Sequence, residues 1–169
     1  HYHLANYFMP VNPRRKFYQG EGGVAYFVPD EARYKGRTAM RPHVSAVVEG
    51  ERYFHDIAEK TRGRGLGLHF WTVYYFSHLR ARDYPECATV DALSHVNPCD
   101  LNPMSPDSRG YAVALTEDLV ANYEPDGLYL ESLGFSGFGH GFSSMKGGTD
   151  LRPKDRFFLG LDFSEYSLK

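Results

Sequence analysis

A single carboxylate, Glu131, ends an apolar stretch of the sequence at the point where a loop rich in glycine and phenylalanine begins. The stretch reads GLYLESL from Gly127, and the loop reads GFSGFGHGF and contains His140. A carboxylate is costly to bury unless it is paired, and a low dielectric raises the pKa of a carboxyl group. Such a group can give a proton to a leaving oxygen, as glycoside hydrolysis requires. We therefore interpret Glu131 as a general acid; the alternative is a salt bridge from Glu131 to a basic side chain such as Arg109 or Lys146.

Glycoside hydrolysis also needs a second carboxylate beside the general acid. Asp126 precedes its apolar stretch, so we expect it at the opposite end of that strand from Glu131. Asp162 follows the sequence FFLGL, a possible strand, and we take it as the second catalytic residue, although no spacing rule selects it. The candidates from which it is chosen are Asp100, Asp126, Asp150 and Asp162.

Aromatic side chains end a second apolar run, LGLHFWTVYYF, which His78 follows closely. Side chains alternate between the two faces of a strand, so Trp71 and Tyr75 are expected opposite Tyr74. This cluster indicates either a stacking platform for a sugar or a base, or the core of a barrel with one or two rings at its mouth. We predict that Trp71, Tyr74, Tyr75 and His140 contact the substrate.

The amino-terminal sequence HYHLANYF carries two histidines in a His-x-His arrangement. On a strand this spacing points both imidazoles to one side, which suits a transition-metal ion. One alternative is therefore a metal-dependent hydrolase in which His1 and His3 are ligands, with Glu131 or His140 completing the set. Two histidines near a terminus also arise by chance. Our main interpretation places His3 in the substrate site and contains no metal and no cofactor.

The net charge, the apolar stretches and the tyrosine content limit the kinds of molecule that the protein is expected to bind. The 169 residues carry a net charge of −2, which argues against a general polyanion binder and hence against a nucleic-acid partner. No apolar stretch approaches the roughly 18 residues that a membrane span needs, so no membrane partner is expected. Tyrosine is abundant, with 13 residues, and its ring and hydroxyl suit half-wet sites that bind polar molecules with apolar faces. Sugars are one such class.

The order of predicted elements indicates an α/β fold. A helical pattern over residues 49–64 precedes the strand of residues 66–76, and a long loop is predicted over residues 77–104. A helix follows, with Ser105 as its N-cap and Pro106 at its first position, and then the strand that ends near Glu131. The segment after the glycine loop is predicted either as a helix over residues 152–158 or as a strand that begins at FFLGL.

Helices that alternate with apolar strands imply a parallel sheet. Loops that are long after the strands and short before them are typical of a βα barrel, whose active site is built at the carboxyl ends of its strands. A doubly wound open sheet follows the same rule. Because a full barrel needs about 250 residues, we predict one α/β domain over residues 1–169, a partial or truncated (β/α) TIM-type barrel.

Several stretches resemble the amino-terminal half of bacterial TIM-barrel proteins described as hypothetical or putative glycoside hydrolases. They are HYHLANYFMPVNPRRKFY, GGVAYFVPD, HFWTVYYF, NPCDLNPMSPDSRGY and DGLYLESLGFSGFGHG. The resemblance implies a (β/α) barrel and a carbohydrate-related role. It also marks a difference, because the family loop after the LES strand carries a His-His-Glu-Lys type of run. This sequence has Ser143-Ser144-Met145-Lys146 there and retains only the lysine.

Three functions remain open from the sequence. The first is a carbohydrate-active protein, a glycoside hydrolase acting on a carbohydrate or another polar small molecule. The second is the metal-dependent hydrolase. The third is a non-catalytic binding or assembly subunit, in which a second copy or a partner chain completes the barrel, since exposed strand edges favour pairing.

Overall fold

The computed structural model describes residues 6–8, 10–11, 13, 16–19, 22–138 and 151–169. His1, His3 and His140 therefore lie outside the described residues, as does Asp150. The elements in chain order are β1 (Asn6–Phe8), β2 (Phe17–Gln19), β3 (Val24–Ala25), α1 (Glu31–Tyr34), β4 (His43–Val44), α2 (Tyr53–Arg62), β5 (His69–Val73), α3 (His78–Asp83), a short 3-10 helix (Pro85–Cys87), β6 (Ala88–Val90), β7 (Val96–Leu101), α4 (Pro106–Tyr123), β8 (Gly127–Glu131) and α5 (Pro153–Leu159).

The architecture is mixed α/β, with four two-stranded sheets among the described residues. The pairs β3–β4 and β5–β8 are parallel, and the pairs β1–β2 and β6–β7 are antiparallel. None of these sheets closes on itself within the described ranges, so the partial TIM-type barrel stays a prediction. The single domain over the whole chain likewise stays a prediction.

Helix α4 forms where its sequence signals predict it. Ser105 caps its start, accepting a hydrogen bond from the Ser108 N–H, and Pro106 occupies the first turn, where the missing N–H of proline costs nothing. The helix ends at Glu124, whose φ of 43° is left-handed. Arg62 of α2 donates to the backbone carbonyls of Tyr123 and Glu124, so a cation satisfies two of the carbonyls that a helix end leaves without partners.

Edge-to-face aromatic contacts join α2, β5 and α4 in the core. The Phe54 ring lies 5.2 Å from that of Phe70 and 5.0 Å from that of Tyr123. Phe27 contacts the same tyrosine, with 5.8 Å between ring centres. Such pairs contribute roughly 0.5–1.5 kcal/mol each beyond the area they bury. These rings therefore fasten the helices to one face of β5.

A buried carboxylate, Asp118, joins α4 to the segment around α1. Its Oδ2 accepts hydrogen bonds from the Tyr34 hydroxyl at 3.0 Å and the Asp30 N–H at 3.1 Å. Its Oδ1 accepts from Asn122 at 2.7 Å. The two chain segments also approach closely at Gly110, where an added Cβ would lie 2.4 Å from the Arg37 carbonyl oxygen. Only glycine fits that approach without a shift of the backbone.

The prediction of a long loop over residues 77–104 is wrong. This segment forms α3, the 3-10 helix and the β6–β7 hairpin. The register of the β6–β7 pair is irregular: Ala88 pairs with Leu101 and Val90 pairs with Val96, so more residues separate the two pairing positions on β7 than on β6. Pro98, which has no N–H to donate to a strand ladder, is one of these extra residues on β7. The bulged backbone is satisfied locally, because Asn97 Oδ1 accepts from the N–H groups of the next residues, Cys99 and Asp100.

The segment after the glycine loop is a helix, which confirms the first of the two alternatives for residues 152–158. Helix α5 covers Pro153–Leu159, with a proline in its first turn. The stretch FFLGL therefore does not form a strand, and Asp162 follows a helix instead. The phenylalanines of this helix, Phe157 and Phe158, are both exposed.

Candidate functional site

On one side of the β5–β8 pair Phe70 and Leu128 pack against the core. We call the opposite side, which carries the exposed side chains of His69, Trp71 and Tyr129, the open face. In the parallel register Trp71 lies beside Tyr129, and Val73 lies beside Glu131. Because side chains alternate along a strand, these four share one side of the pair. Trp71 is 59% exposed and Tyr129 is 67% exposed. The open face thus carries two neighbouring aromatic rings with a carboxylate one pleat beyond them, at the carboxyl end of β8.

His69 and Gly127 form the opposite end of the open face. They are paired in register, and a Cβ added at Gly127 would lie 2.5 Å from His69 Nδ1. The imidazole therefore lies against the backbone of β8, in space that only glycine leaves free. The order along the face is a histidine, then two aromatic rings, then the carboxylate.

Glu131 is partly buried, and its Oε2 atom has no solvent exposure and no hydrogen-bond donor among the described residues. Its backbone is fixed, since the Glu131 carbonyl accepts from the Tyr74 N–H at 3.0 Å. The expected alternative partner, Arg109, instead donates to the carbonyls of Pro103 and Met104 at 3.3 and 2.6 Å. Lys146, the other predicted partner, lies outside the described residues. A buried polar atom without a partner costs free energy, which points to a constraint other than stability at this position.

Tyr74 and Tyr75 lie beyond the end of β5 and are buried, unlike Trp71. The Tyr74 hydroxyl is hydrogen-bonded to Thr116 of α4 at 2.7 Å. The backbone of Tyr75 bridges two other segments: its N–H donates to the Ser132 carbonyl, and its carbonyl accepts from the Leu101 N–H. Burial raises the pKa of both hydroxyls. The structure therefore places these two tyrosines in the interior, and their predicted contact with substrate stays a prediction.

Tyr129 was missed by the sequence analysis, although a signal for it exists. It precedes Glu131 by two residues, so the alternation of a strand puts both side chains on the same face. What the sequence could not provide is the register that sets Tyr129 beside Trp71. That register depends on two strands more than fifty positions apart, and no local pattern encodes it.

Asp162 is held by hydrogen bonds on both of its oxygens. Oδ1 accepts from the N–H groups of Val90 and Ser164, at 2.7 and 3.3 Å. Oδ2 accepts from Asn102 at 2.7 Å and from the hydroxyls of Ser164 and Ser167. Burial opposes the charged form, but the hydrogen bonds outweigh it and lower the pKa of Asp162. This carboxylate fastens the carboxyl-terminal segment to β6, and its predicted catalytic role stays a prediction.

Asp100, another candidate for the second catalytic carboxylate, lies near the carboxyl end of the β5–β8 pair. Its backbone forms an antiparallel bridge with Phe76, just past the end of β5. Its Oδ1 accepts from the Ser136 hydroxyl and its Oδ2 from Asn97, each at 3.0 Å. Ser136 belongs to the loop that follows Glu131. Asp100 and Asp162 line one cavity of about 190 Å³ between this loop, the β6–β7 hairpin and the end of α5, and Glu131 is not among the described residues that line it.

Asp126 lies at the other end of the strand pair, as predicted. Its Oδ2 accepts from the Leu68 N–H at 2.7 Å, and its own N–H donates to the Leu68 carbonyl at 2.8 Å. This exchange fixes the start of β8 against the start of β5. It sets the register that puts Tyr129 beside Trp71 and Glu131 beside Val73.

Histidines do not form a metal centre within the ranges that the structure describes. No group of three or more His, Cys, Asp or Glu side chains suited to a metal ion occurs there. His78 begins α3, and burial, the neighbouring cations Arg82 and Arg80, and His43 lower its pKa. The predicted metal ligands His1 and His3, and the predicted substrate contact His140, fall outside the described residues.

Comparison with known proteins adds no identification. No protein-family model matches the sequence, and searches of curated proteins and of solved structures find no similar protein either. Among the described residues, no helix combines the length and the apolar character that a membrane crossing demands.

Proposed function

We propose that the protein is carbohydrate-active and that the open face is its substrate site. The observation that supports this proposal is the register of Trp71 with Tyr129, two exposed rings beside a carboxylate with an unpartnered oxygen. An exposed aromatic ring offers an apolar face while its edge stays in contact with water. A sugar ring is complementary to it, because it has apolar C–H faces and hydroxyl groups around its rim. In this proposal the sugar stacks on the two aromatic rings and Glu131 contacts its glycosidic oxygen.

Glu131 acts as the general acid in this proposal. It lies at the carboxyl end of β8, where α/β proteins place their reactive groups. Its Oε2 is not engaged by a donor from the described residues, and in this proposal the carboxyl group passes a proton to the leaving oxygen. A group that transfers a proton in this way contributes about 10²–10⁴-fold to the rate.

The second carboxylate is a choice between Asp162 and Asp100. Both oxygens of Asp162 and both oxygens of Asp100 accept hydrogen bonds from described residues. Asp100 is bonded to the loop that follows Glu131 through Ser136. We therefore keep Asp162, the choice made from the sequence, and add Asp100 as a second candidate, because its strand bridge brings it closer to the end of β8 where Glu131 lies.

The test is turnover of a panel of aryl glycosides by the wild-type protein and by Glu131→Gln. We expect the variant to lose at least about 100-fold in turnover while its unfolding transition is retained. Glu165→Gln, an exposed glutamate near the carboxyl end, is the matched control and should keep full activity. Equal turnover by wild type and Glu131→Gln would contradict the proposal. The variants Asp100→Asn and Asp162→Asn then decide between the two candidate partners.

Binding by the aromatic pair is tested separately from catalysis. Removing Trp71 or Tyr129 should weaken the binding of oligosaccharides by about tenfold, since stacking of this kind contributes on the order of 1 kcal/mol or more. Phe157→Ala removes an equally exposed ring from α5 and should leave binding unchanged. If all three variants bind alike, the open face is not the carbohydrate site.

A second candidate function is an assembly or binding subunit, and the exposed apolar surface favours it. Each sheet of the described residues has only two strands, and Leu130, Phe157 and Phe158 are each at least half exposed. A second copy or a partner chain that extends the β5–β8 pair would cover such surfaces. Light scattering over a range of concentrations tests the homo-oligomer: a stable monomer at all of them contradicts assembly with a second copy.

A further inference from the structure

A second cavity lies between the segment of residues 23–27, strand β5 and helix α4, and the open-face residues His69, Trp71 and Val73 contribute to its wall, whereas Glu131 does not. Its volume is about 260 Å³. Most of its wall is aromatic or aliphatic, with contributions from Val24, Phe27, Phe54, Phe70, Leu115 and Leu119. An apolar cavity of about 150 Å³ can hold benzene. This cavity therefore has room for a molecule with one ring and a small polar group.

One charged side chain, Arg80, lines this otherwise apolar cavity. Arg80 is only 4% exposed. Its Nε donates to the Tyr111 hydroxyl at 2.7 Å, and its Nη1 donates to the Gly23 carbonyl and the Ser77 hydroxyl, each at 2.8 Å. The guanidinium carbon also lies 5.2 Å from the centre of the Tyr111 ring. These contacts hold the guanidinium in a fixed orientation through Nε and Nη1.

Every acceptor that Arg80 reaches among the described residues is neutral, and its Nη2 has none there. Arginine side chains are almost never buried without a charged partner. Among the described residues Arg37, Arg41 and Arg52 are each paired with a carboxylate, whereas the exposed Arg62, Arg64 and Arg109 bond to backbone carbonyls. Arg80 differs from all of them because it is buried. The buried carboxylate Asp118 is engaged by Tyr34, Asp30 and Asn122 instead.

We propose that this cavity binds a small organic carboxylate with an apolar body. The carboxylate would accept hydrogen bonds from Nη2, the guanidinium nitrogen of Arg80 that has no acceptor among the described residues. The body of the ligand would pack against the aromatic and aliphatic wall formed by Phe54, Phe70 and Leu115. The ligand supplies a negative charge that no described residue places on Arg80, and it displaces water from an apolar surface. This site shares Trp71 with the proposed carbohydrate site, but it depends on Arg80 and not on Glu131, so benzoate binding and glycosidase turnover can fail separately.

The experiment compares benzoate with benzamide, which has the same size and shape but no charge. Trp71 lines the cavity and is the only tryptophan of the chain, so its fluorescence reports occupancy, with calorimetry as a second readout. We expect benzoate to bind saturably and benzamide to bind at least about tenfold more weakly, because a hydrogen bond to a charged group contributes about 1.5–3 kcal/mol. Equal binding of the two probes, or no binding of benzoate, overturns the proposal.

Variants locate the site. Arg80→Lys keeps the charge but loses the Nη2 donors, which the contacts of Nε and Nη1 hold in a fixed orientation, and it should weaken benzoate binding while leaving the weak benzamide binding unchanged. Arg82→Gln removes an exposed cation two residues away on the same helix, and it should bind benzoate as the wild type does. If Arg80→Lys binds benzoate as tightly as the wild type, the carboxylate does not sit on Arg80 and the proposal fails. Should that variant not fold, the comparison of the two probes on the wild-type protein still decides the matter.

Discussion

The two faces of strand β5 differ sharply, although successive residues of one short strand supply them. Phe70 points toward the helices, is 8% exposed and contacts the rings of Phe54 and Tyr123. Trp71, the next residue, is 59% exposed on the open face beside Tyr129. Helix packing thus accounts for the presence of Phe70, whereas nothing in the described core requires Trp71.

The carboxylates on the two sides differ as well. On the helix side Asp118 accepts three hydrogen bonds, whereas the Oε2 of Glu131 has no donor among the described residues. The contrast holds for the carboxylates and not for every polar atom, because the buried Ser108 hydroxyl of α4 also lacks a partner among the described residues. Burying a carboxylate without a partner costs more than burying a hydroxyl, so Glu131 and the exposed rings mark the open face as the side suited to contacts with other molecules.

The sharpest test substitutes the two neighbours on β5. Phe70→Ala should lower the free energy of unfolding by about 3–5 kcal/mol, since it removes a buried ring and leaves a cavity. Trp71→Ala should change it by no more than about 0.5–1 kcal/mol, because the ring is mostly in solvent. Urea unfolding followed by circular dichroism measures both. Similar losses for the two variants would show that the open face is also part of the core.

The second expected effect concerns Asp118. Asp118→Ala removes the acceptor for Tyr34, the Asp30 N–H and Asn122 at once and leaves buried donors without partners. We expect a loss of at least about 2 kcal/mol in the free energy of unfolding. Glu117→Ala, one residue earlier on α4 and paired with Arg37 at the surface, should cost less than about 1 kcal/mol. Equal costs would place Asp118 among ordinary surface carboxylates.

The third effect tests the close approach at Gly110. A Cβ there would lie 2.4 Å from the Arg37 carbonyl oxygen, and a backbone atom cannot move aside as a flexible side chain can. Gly110→Ala should therefore destabilise the protein by about 1–3 kcal/mol. Gly134→Ala is the matched control, since an added Cβ there meets no atom within 4 Å. A neutral result at Gly110 would mean that α4 and the α1 segment are farther apart than described.

The fourth effect is a dependence on pH. Burial raises the pKa of Asp118, although hydrogen bonds from Tyr34, Asp30 and Asn122 act against the rise. The folded protein then retains a proton at pH values where the unfolded chain has lost it, so this group stabilises at low pH. Its contribution is lost as pH rises above about 3.9 and through the folded-state pKa. Stability relative to Asp118→Asn should fall as the pH rises above about 4, and a constant difference would contradict the raised pKa.

The smallest effect is expected on the open face, where Glu131→Gln should leave stability unchanged or raise it by up to about 1 kcal/mol. The reason is that the Oε2 of Glu131 has no hydrogen-bond donor among the described residues, so the substitution removes no described contact of that atom. Thermal unfolding at neutral pH measures it. A loss of about 2 kcal/mol or more would indicate that a partner from outside the described residues holds Glu131.

Local signals accounted for the helices and strands that carry them. The Ser105–Pro106 start predicted α4, and two apolar runs predicted β5 and β8. The hairpin of β6 and β7 escaped prediction because Pro98 lies inside a strand and reads as a loop residue. The strand accommodates Pro98 because of the bulge and the hydrogen bonds to Asn97 Oδ1. Both depend on how the two strands pair and cannot be read from the local sequence.

The site was predictable only in its local part. The position of Glu131 at a strand end follows from the sequence of β8, and so does the common face of Tyr129 and Glu131. The hydrogen-bonding roles of Asp162 and Arg80 cannot be read from the local sequence, because their partners lie far away in the chain. Val90 is 72 positions from Asp162, and Gly23 is 57 positions from Arg80. Long-range partners of this kind require the fold itself.

The Asp162 contacts also set an order of events during synthesis. The β6–β7 hairpin is complete at Leu101, but the carboxylate that receives the Val90 N–H and the Asn102 amide is made 72 and 60 residues after those groups. At a translation rate of about 5–20 residues per second, Asp162 is therefore synthesised several seconds after these two donors, which need other acceptors, such as water, until it arrives.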